Sequence, residues 1–198
     1  LNTIQLSLMA WCIALTIGII IGSIRMMKSP ILRFIGTFYV EIFRNIPLLV
    51  QLFIWFFVFP LLLPDDVMRS WNSLDGVPFF TALIGLSLFT AARVAEQIRS
   101  GITSIPKGQF NAAFSTGLNT FQTYRFIVIP YAFRIMIPAI ASEFLTIFKN
   151  SALTLTIGVA EITAAATYIE SDTFRGIEAY SVASLAYMFT TASVVIFM

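Results

Sequence analysis

From Leu6 to Ile24 the chain carries no charged side chain and almost no polar one. A helix rises about 1.5 Å per residue, so a stretch near 20 residues crosses a hydrocarbon core of about 30 Å. Comparable apolar stretches follow at Pro47–Leu63, Phe79–Arg99, Tyr131–Ala160 and Val182–Met198. Hydrophobic residues make up 58% of the chain and charged ones 11%, against roughly 25% charged in soluble domains. Mean hydropathy is +0.88. The medium is therefore a lipid bilayer, and an all-α integral membrane fold is expected, as one domain over residues 1–198. A net charge of +2 points away from nucleic acid. With no histidine and a single cysteine, Cys12, the usual zinc ligands and Ser-His bases are missing. Neither a metal site nor catalysis is expected, and Cys12 reads as inert packing. The chain starts without methionine and stops inside an apolar run, so further sequence is expected beyond both ends.

Loop charges orient the spans. Arg25, Lys28 and Arg33 follow the first span; by the positive-inside rule that loop is cytoplasmic and the N-terminus external. Glu41 and Arg44 stand at i,i+3, where they can pair, and Pro47 removes a backbone donor, so the second span begins in a bent helix. The segment between Pro60 and Pro78 holds Asp65, Asp66, Asp75 and Trp71, which suits the outer face. The third span runs inward and carries Arg93 and Glu96. Arg99, Lys107, Arg125 and Arg134 flank the stretch Gly108–Pro130, which is cytoplasmic by the same rule. Tyr131–Ala160 reads as one broken span, interrupted at Lys149, Asn150 and Ser151; a separate arm over Ala152–Ile169 would raise the count to six. Glu161, Glu170, Asp172 and Glu178 return the chain to the outside.

The interval 108–130 is too polar for lipid and too regular for a loop. Gln109–Thr116 suits a helix, Gly117 can adopt a backbone conformation other residues avoid, and Phe121–Val128 makes a second short helix up to Pro130. Two short helices would lie across the cytoplasmic face. Ala112 and Ala113 would admit another backbone, with Phe110, Phe114 and Phe121 as apolar anchors. Such a helix can fill a partner's groove or rest on lipid as an amphipathic element. The residues alone leave both open.

The order Ala112-Ala113, Gly117, Ile127, Ile129-Pro130 resembles the EAA loop of ABC importer permeases, which reads E-A-A-x-x-x-G and ends I-x-L-P. Phe43-Arg44-Asn45-Ile46-Pro47-Leu48-Leu49-Val50-Gln51 is similar to the F-R-G-T-P-L-L-V-Q run of the polar amino acid permeases, and Lys149-Asn150-Ser151-Ala152-Leu153 to their K-D/N-T/S-S-L. Within that family, Ala91–Gln97 and Gly108–Ala113 look most like permeases for glutamate and aspartate. Asn111 stands where the family has Glu, and Ile129 where it has Leu.

The resemblance implies a type I ABC importer (MetI-like) transmembrane fold of five helices with a cytoplasmic coupling helix. It implies a second permease subunit, identical or homologous, a pair of ATP-binding subunits and an extracytoplasmic amino-acid-binding protein, in a bacterial inner membrane. ATP and magnesium would be bound by the partner; this chain has no phosphate-cradling G-x-x-x-x-G-K-[ST]. Gln109, Asn111, Ala112, Ala113 and Gly117 would form the ATPase-coupling surface, where Asn111 can hydrogen-bond but not form a salt bridge. Arg93, Glu96, Lys149, Asn150 and Ser151 would line the substrate pathway. Charges within a span usually face a cavity or partner, so Arg93 could receive a carboxylate, or could simply neutralise Glu96 at i,i+3. Lys149 sits where a broken helix could expose backbone groups to substrate, or could pair with Glu143 or Glu161. Arg44 reads as structural, paired with Glu41. The alternatives from other classes are an ion-coupled secondary transporter or channel and, last, an intramembrane enzyme, which lacks any acid, base and nucleophile cluster.

Overall fold

The computed structural model describes residues 1–197 as helices and connections. Four helical runs are long and apolar enough to cross a membrane: Asn2–Ile24 (α1), Val77–Thr103 (α5), Thr120–Ile157 and Gly176–Ile196. A fifth crossing is formed if Pro30–Asn45 (α2) and Leu48–Leu62 act as one span, bent by 103°.

The bend has an identifiable cause. Pro47 supplies no N–H, and the residue before a proline is pushed out of the helical region; Ile46 is extended, with ψ 128°. The carbonyls stranded by the break are answered by one side chain: the Gln51 Nε2 amide donates to Phe43 O and Ile46 O, both at 2.8 Å. Gln51 lies in the short helix Leu48–Phe53 (α3) and is buried. This explains physically why a glutamine closes the Phe43–Gln51 run. The expected Glu41–Arg44 pair is not formed. Glu41 instead accepts from the Asn45 amide at 3.0 Å, while Arg44 turns toward Glu96, 3.7 Å away. An exposed helical pair gains only a few tenths of a kcal/mol, too little to hold Arg44 against a carboxylate on a neighbouring helix.

At the centre stands α5, which packs against α1, α2, α3 and the helix Ile129–Asn150 (α8). On α1 a line of small residues, Ala10, Ala14, Gly18 and Gly22, recurs every fourth position and is buried. Small residues let two membrane helices approach closely. A Cβ added to Gly18 would lie 2.6 Å from Val94 Cγ1, and one on Gly22 would lie 3.0 Å from Ile98 Cβ. One core cluster (Leu6, Leu52, Leu86, Ile147, Phe148) joins α1, α3, α5 and α8, and a second (Val94, Ile98, Ile105, Val128, Ala132, Met136) joins α5 to α8.

The segment from Pro60 to Pro78, expected as a loop, contains a short helix at Asp65–Asn72 (α4), with Asp65 and Asp66 in its first turn. Pro130 does not divide two elements: the chain is helical from Thr120 (α7, Thr120–Thr123) through a π-helical turn at Tyr124–Val128 into α8. A proline in the first turn of a helix loses no intrahelical bond, and here the wider preceding turn leads into it. The break expected at Lys149–Ser151 is a tightening, from α8 into a 3-10 stretch Ser151–Ile157 that ends at Gly158 (φ +87°). Ile162–Thr173 (α9) then forms a hairpin with Gly176–Phe197 (α10), sealed by Ala166, Ala179 and Ala183. Cys12 is exposed on α1 rather than packed inside.

Candidate functional site

The helix Lys107–Ser115 (α6) projects between α5 and α7 and holds the expected coupling residues. Its end is a Schellman motif: Leu118 N donates to Ala113 O at 3.2 Å and Gly117 N to Phe114 O at 3.0 Å, with the left-handed residue supplied by Gly117 at φ +83°. Asn119 then caps α7. Its Oδ1 accepts from Gln122 N at 2.9 Å and its own N donates to Gln122 Oε1 at 3.0 Å. The sequence signal for this capping box is N-x-x-Q ahead of an apolar run. The connection from α6 to α8 is thus two interlocked caps.

The two alanines part company here. Ala113 is 2% exposed and packs inward, whereas Gln109, Asn111 and Ala112 are exposed. Phe110, expected as an anchor for a partner, instead packs on the α5–α8 cluster and against Tyr124, ring centroids 6.1 Å apart. Phe114 and Phe121 remain exposed. The helix therefore stands on Phe110 and Ala113 and offers Gln109, Asn111, Ala112 and Phe114 outward.

Between the spans, Arg93 does not pair with Glu96. Its Nε donates to Glu143 Oε2 at 2.6 Å and its Nη2 to Glu143 Oε1 at 3.0 Å, a bidentate contact from α5 to α8. The Glu143 side chain is 6% exposed and that of Arg93 42%, so the carboxylate is sealed while Arg93 stays partly open, with the Phe89 ring covering one side of its guanidinium at 5.8 Å. Glu143 appeared in the sequence only as a possible partner for Lys149; a contact between spans has no signature in local spacing. Glu96 serves Arg99 Nη2 at 2.6 Å and Arg25 Nη1 at 2.5 Å.

Lys149 is exposed and makes no ion pair among the described residues: Glu143 is occupied by Arg93, and Glu161 caps α9, accepting from Ala164 N at 2.7 Å and from the Tyr187 hydroxyl. Asn150 is half-buried. Ser151 is buried and donates to Phe148 O at 2.7 Å, while its own carbonyl accepts from Thr154 Oγ1 at 2.6 Å. The site residues thus fall into separate groups: the α6 surface, the Arg93–Glu143 pair, the Glu96 cluster, and the helix transition at Lys149–Ser151.

Ion pairs thus join the membrane-crossing helices, and a capped helix, α6, lies between α5 and α7. The chain belongs to the family described as "binding-protein-dependent transport system inner membrane component", whose family model matches residues 14–198. It is 40% identical over 200 residues to the glutamate/aspartate import permease protein GltJ of Escherichia coli K12, an alignment covering 99% of this chain and 81% of that protein. It is 35% identical over 186 residues to a probable amino-acid ABC transporter permease protein, PatM, of Vibrio harveyi, covering 94% and 80%. The solved structure of an amino acid ABC transporter with histidines matches with TM-score 0.84 at 29% identity, over 98% of this chain and 86% of that one. The inward-facing MetNI methionine transporter matches at TM-score 0.75 and 17% identity, over 98% and 88%, a likeness of fold. The architecture is the MetI-like fold of ABC importer permeases.

Proposed function

We propose that this chain is the permease subunit of an ATP-driven importer of polar amino acids in a bacterial inner membrane, with glutamate and aspartate as its substrates. The observation that carries the substrate assignment is the 40% identity to a glutamate/aspartate import permease along 99% of the chain. An extracytoplasmic binding protein delivers substrate, a second permease subunit completes the pathway, and a pair of ATP-binding subunits takes up α6. ATP and magnesium reside in those subunits, outside this chain.

The mechanism is mechanical. Gln109, Asn111 and Ala112 meet the ATPase, while Phe110 and Ala113 tie α6 to its own bundle and Gly117 fixes the angle between α6 and α7. Movement of the ATPase is passed as a rigid-body displacement, because α6 joins α5 through residues 104–106 on one side and α8 through α7 and the π-helical turn on the other. Those helices hold Arg93 and Glu143, so the pair lies between the two elements that the lever moves. The open side of Arg93 meets the substrate carboxylate; Glu143 holds the guanidinium in orientation and balances its charge when substrate is absent. Glu96 orders the basic end of α5. Lys149, Asn150 and Ser151 mark the transition at the end of α8, where Lys149 supplies a free cation to the pathway.

The test is uptake of labelled glutamate into proteoliposomes containing this subunit with its genetically linked ATPase, permease and binding protein. Uptake should require both ATP and binding protein. Transport driven by an ion gradient without either overturns the reading.

A further inference from the structure

A cavity of about 380 Å³ opens between the end of α1, the start of α2 and the end of α5, lined by Arg25, Met26, Met27, Arg33, Thr37, Arg99 and Thr103. Its volume falls at the lower end of small-ligand pockets, about 300 to 1,000 Å³. Positive charge there exceeds what the protein neutralises. Arg25, Arg99 and Arg44 share the carboxylate of Glu96, Glu41, which accepts from Asn45, adds a second negative charge near Arg99, and Arg33 makes no ion pair among the described residues, leaving four arginines against two carboxylates. The position of Arg25 is built in. It is 8% exposed, and its stem lies so close to α2 that a Cβ on Gly36 would come within 2.7 Å of Arg25 Cγ. Its Nε is buried without a hydrogen-bond partner. The lining presents the guanidiniums of Arg25, Arg33 and Arg99 and the Thr37 hydroxyl, Thr103 Oγ1 being engaged with Arg99 O at 2.9 Å, and such a set suits an anionic acceptor with several oxygens.

We propose that this cavity binds a phosphate group, that of an anionic phospholipid headgroup seated at the membrane surface. Basic pockets between membrane helices on the cytoplasmic side suit such headgroups, and the positive-inside rule puts this end of α1 there. The surroundings favour lipid over a free anion. Met26 and Met27 on the lining are exposed, and α2 presents exposed Ile31, Phe34, Ile35 and Phe38 beside the basic floor, a surface for acyl chains. The bound headgroup would tie α2 to the α1–α5 pair at the basic end.

Native mass spectrometry of the delipidated full-length chain, titrated separately with phosphatidylglycerol, phosphatidylcholine and inorganic phosphate, tests this. Phosphatidylglycerol should be retained in preference to phosphatidylcholine. Arg33→Gln should weaken retention about fivefold, the effect of one basic residue near an anionic surface, and Lys28→Gln, which is exposed and off the lining, should not. Arg25 also holds Glu96, so the exposed Arg33 carries the test, with an unchanged gel-filtration profile as the folding control. Saturation by inorganic phosphate that depends on Arg33, without lipid preference, supports the phosphate site and assigns it to the free anion. Equal weakening by both substitutions, or none by Arg33→Gln, overturns the site.

Discussion

Arg93 illustrates how much a single side chain depends on what lies across from it. Its bidentate contact with Glu143 satisfies a carboxylate that would otherwise be stranded between spans. Breaking a fully buried pair costs about 3 to 5 kcal/mol; with Arg93 half-exposed the cost here should be smaller but still visible. Arg93→Gln is expected to lower the thermal midpoint of the purified subunit, and Arg93→Gln with Glu143→Gln together to restore it. The double variant should nonetheless lose the preference of uptake for acidic over neutral amino acids, read by competition with unlabelled substrates. If that preference is kept, Arg93 only braces the helices. Gly117 poses a different question. Nothing lies within 4 Å of a Cβ built there, so the obstacle to substitution is its positive φ alone, worth about 1 to 2 kcal/mol for a side-chain-bearing residue. Gly117→Leu should leave membrane insertion intact, while glutamate uptake and transport-stimulated ATP hydrolysis fall together. Unchanged stimulation would remove α6 from the coupling path.

Elements add constraints that no residue holds by itself. On α6, Ala112 and Ala113 are adjacent and chemically identical, but one faces out and the other is sealed against the bundle. Ala112→Trp should therefore block co-purification of the ATP-binding subunit from an otherwise stable permease, whereas Ala113→Trp should lower stability by about 1 to 3 kcal/mol through overpacking, seen as a reduced thermal midpoint before any partner is added. Equal effects at the two positions would contradict this orientation of the helix. The family pattern names the two alanines together, and local sequence does not distinguish their faces. The bend between α2 and α3 was easier to anticipate, since Pro47 is a local signal; that Gln51 caps it was not, because the carbonyls it satisfies exist only once the chain has turned. Gln51→Leu would leave the part-buried Phe43 O and Ile46 O without this donor, at about 1 kcal/mol each, and should destabilise the subunit in a thermal melt while α6 and its partner contacts persist.

At the scale of the molecule, α5 is the axle. The small-residue line on α1 brings that helix close, α2 and α3 pack along the bend, and α8 is tied on by Arg93–Glu143 and by the cluster that supports Phe110. Substituting Gly18 with leucine should force α1 off Val94 and reduce the yield of folded subunit in size-exclusion chromatography; normal yield would show that α1 is not clamped there. In the proposed mechanism a push on α6 reaches the Arg93–Glu143 pair through short connections, residues 104–106 to α5 and α7 with its π-helical turn to α8.

The medium, the crossings, the bend at Pro47 and the turn at Gly117 were legible in the sequence because each arises from interactions within a few residues: apolar runs as long as a bilayer is thick, a proline without an N–H, a glycine able to take positive φ. The EAA pattern likewise singled out the stretch that forms α6. What only the tertiary structure decided was which charge meets which. Arg93 and Arg44 each had an acidic neighbour one turn away along the chain, yet each meets a carboxylate on a facing helix, Glu143 and Glu96, while Glu96 holds Arg99 on its own helix together with Arg25 and Lys149 is left without an ion pair among the described residues. The inward face of Ala113, 2% exposed, was settled by packing inside the folded bundle.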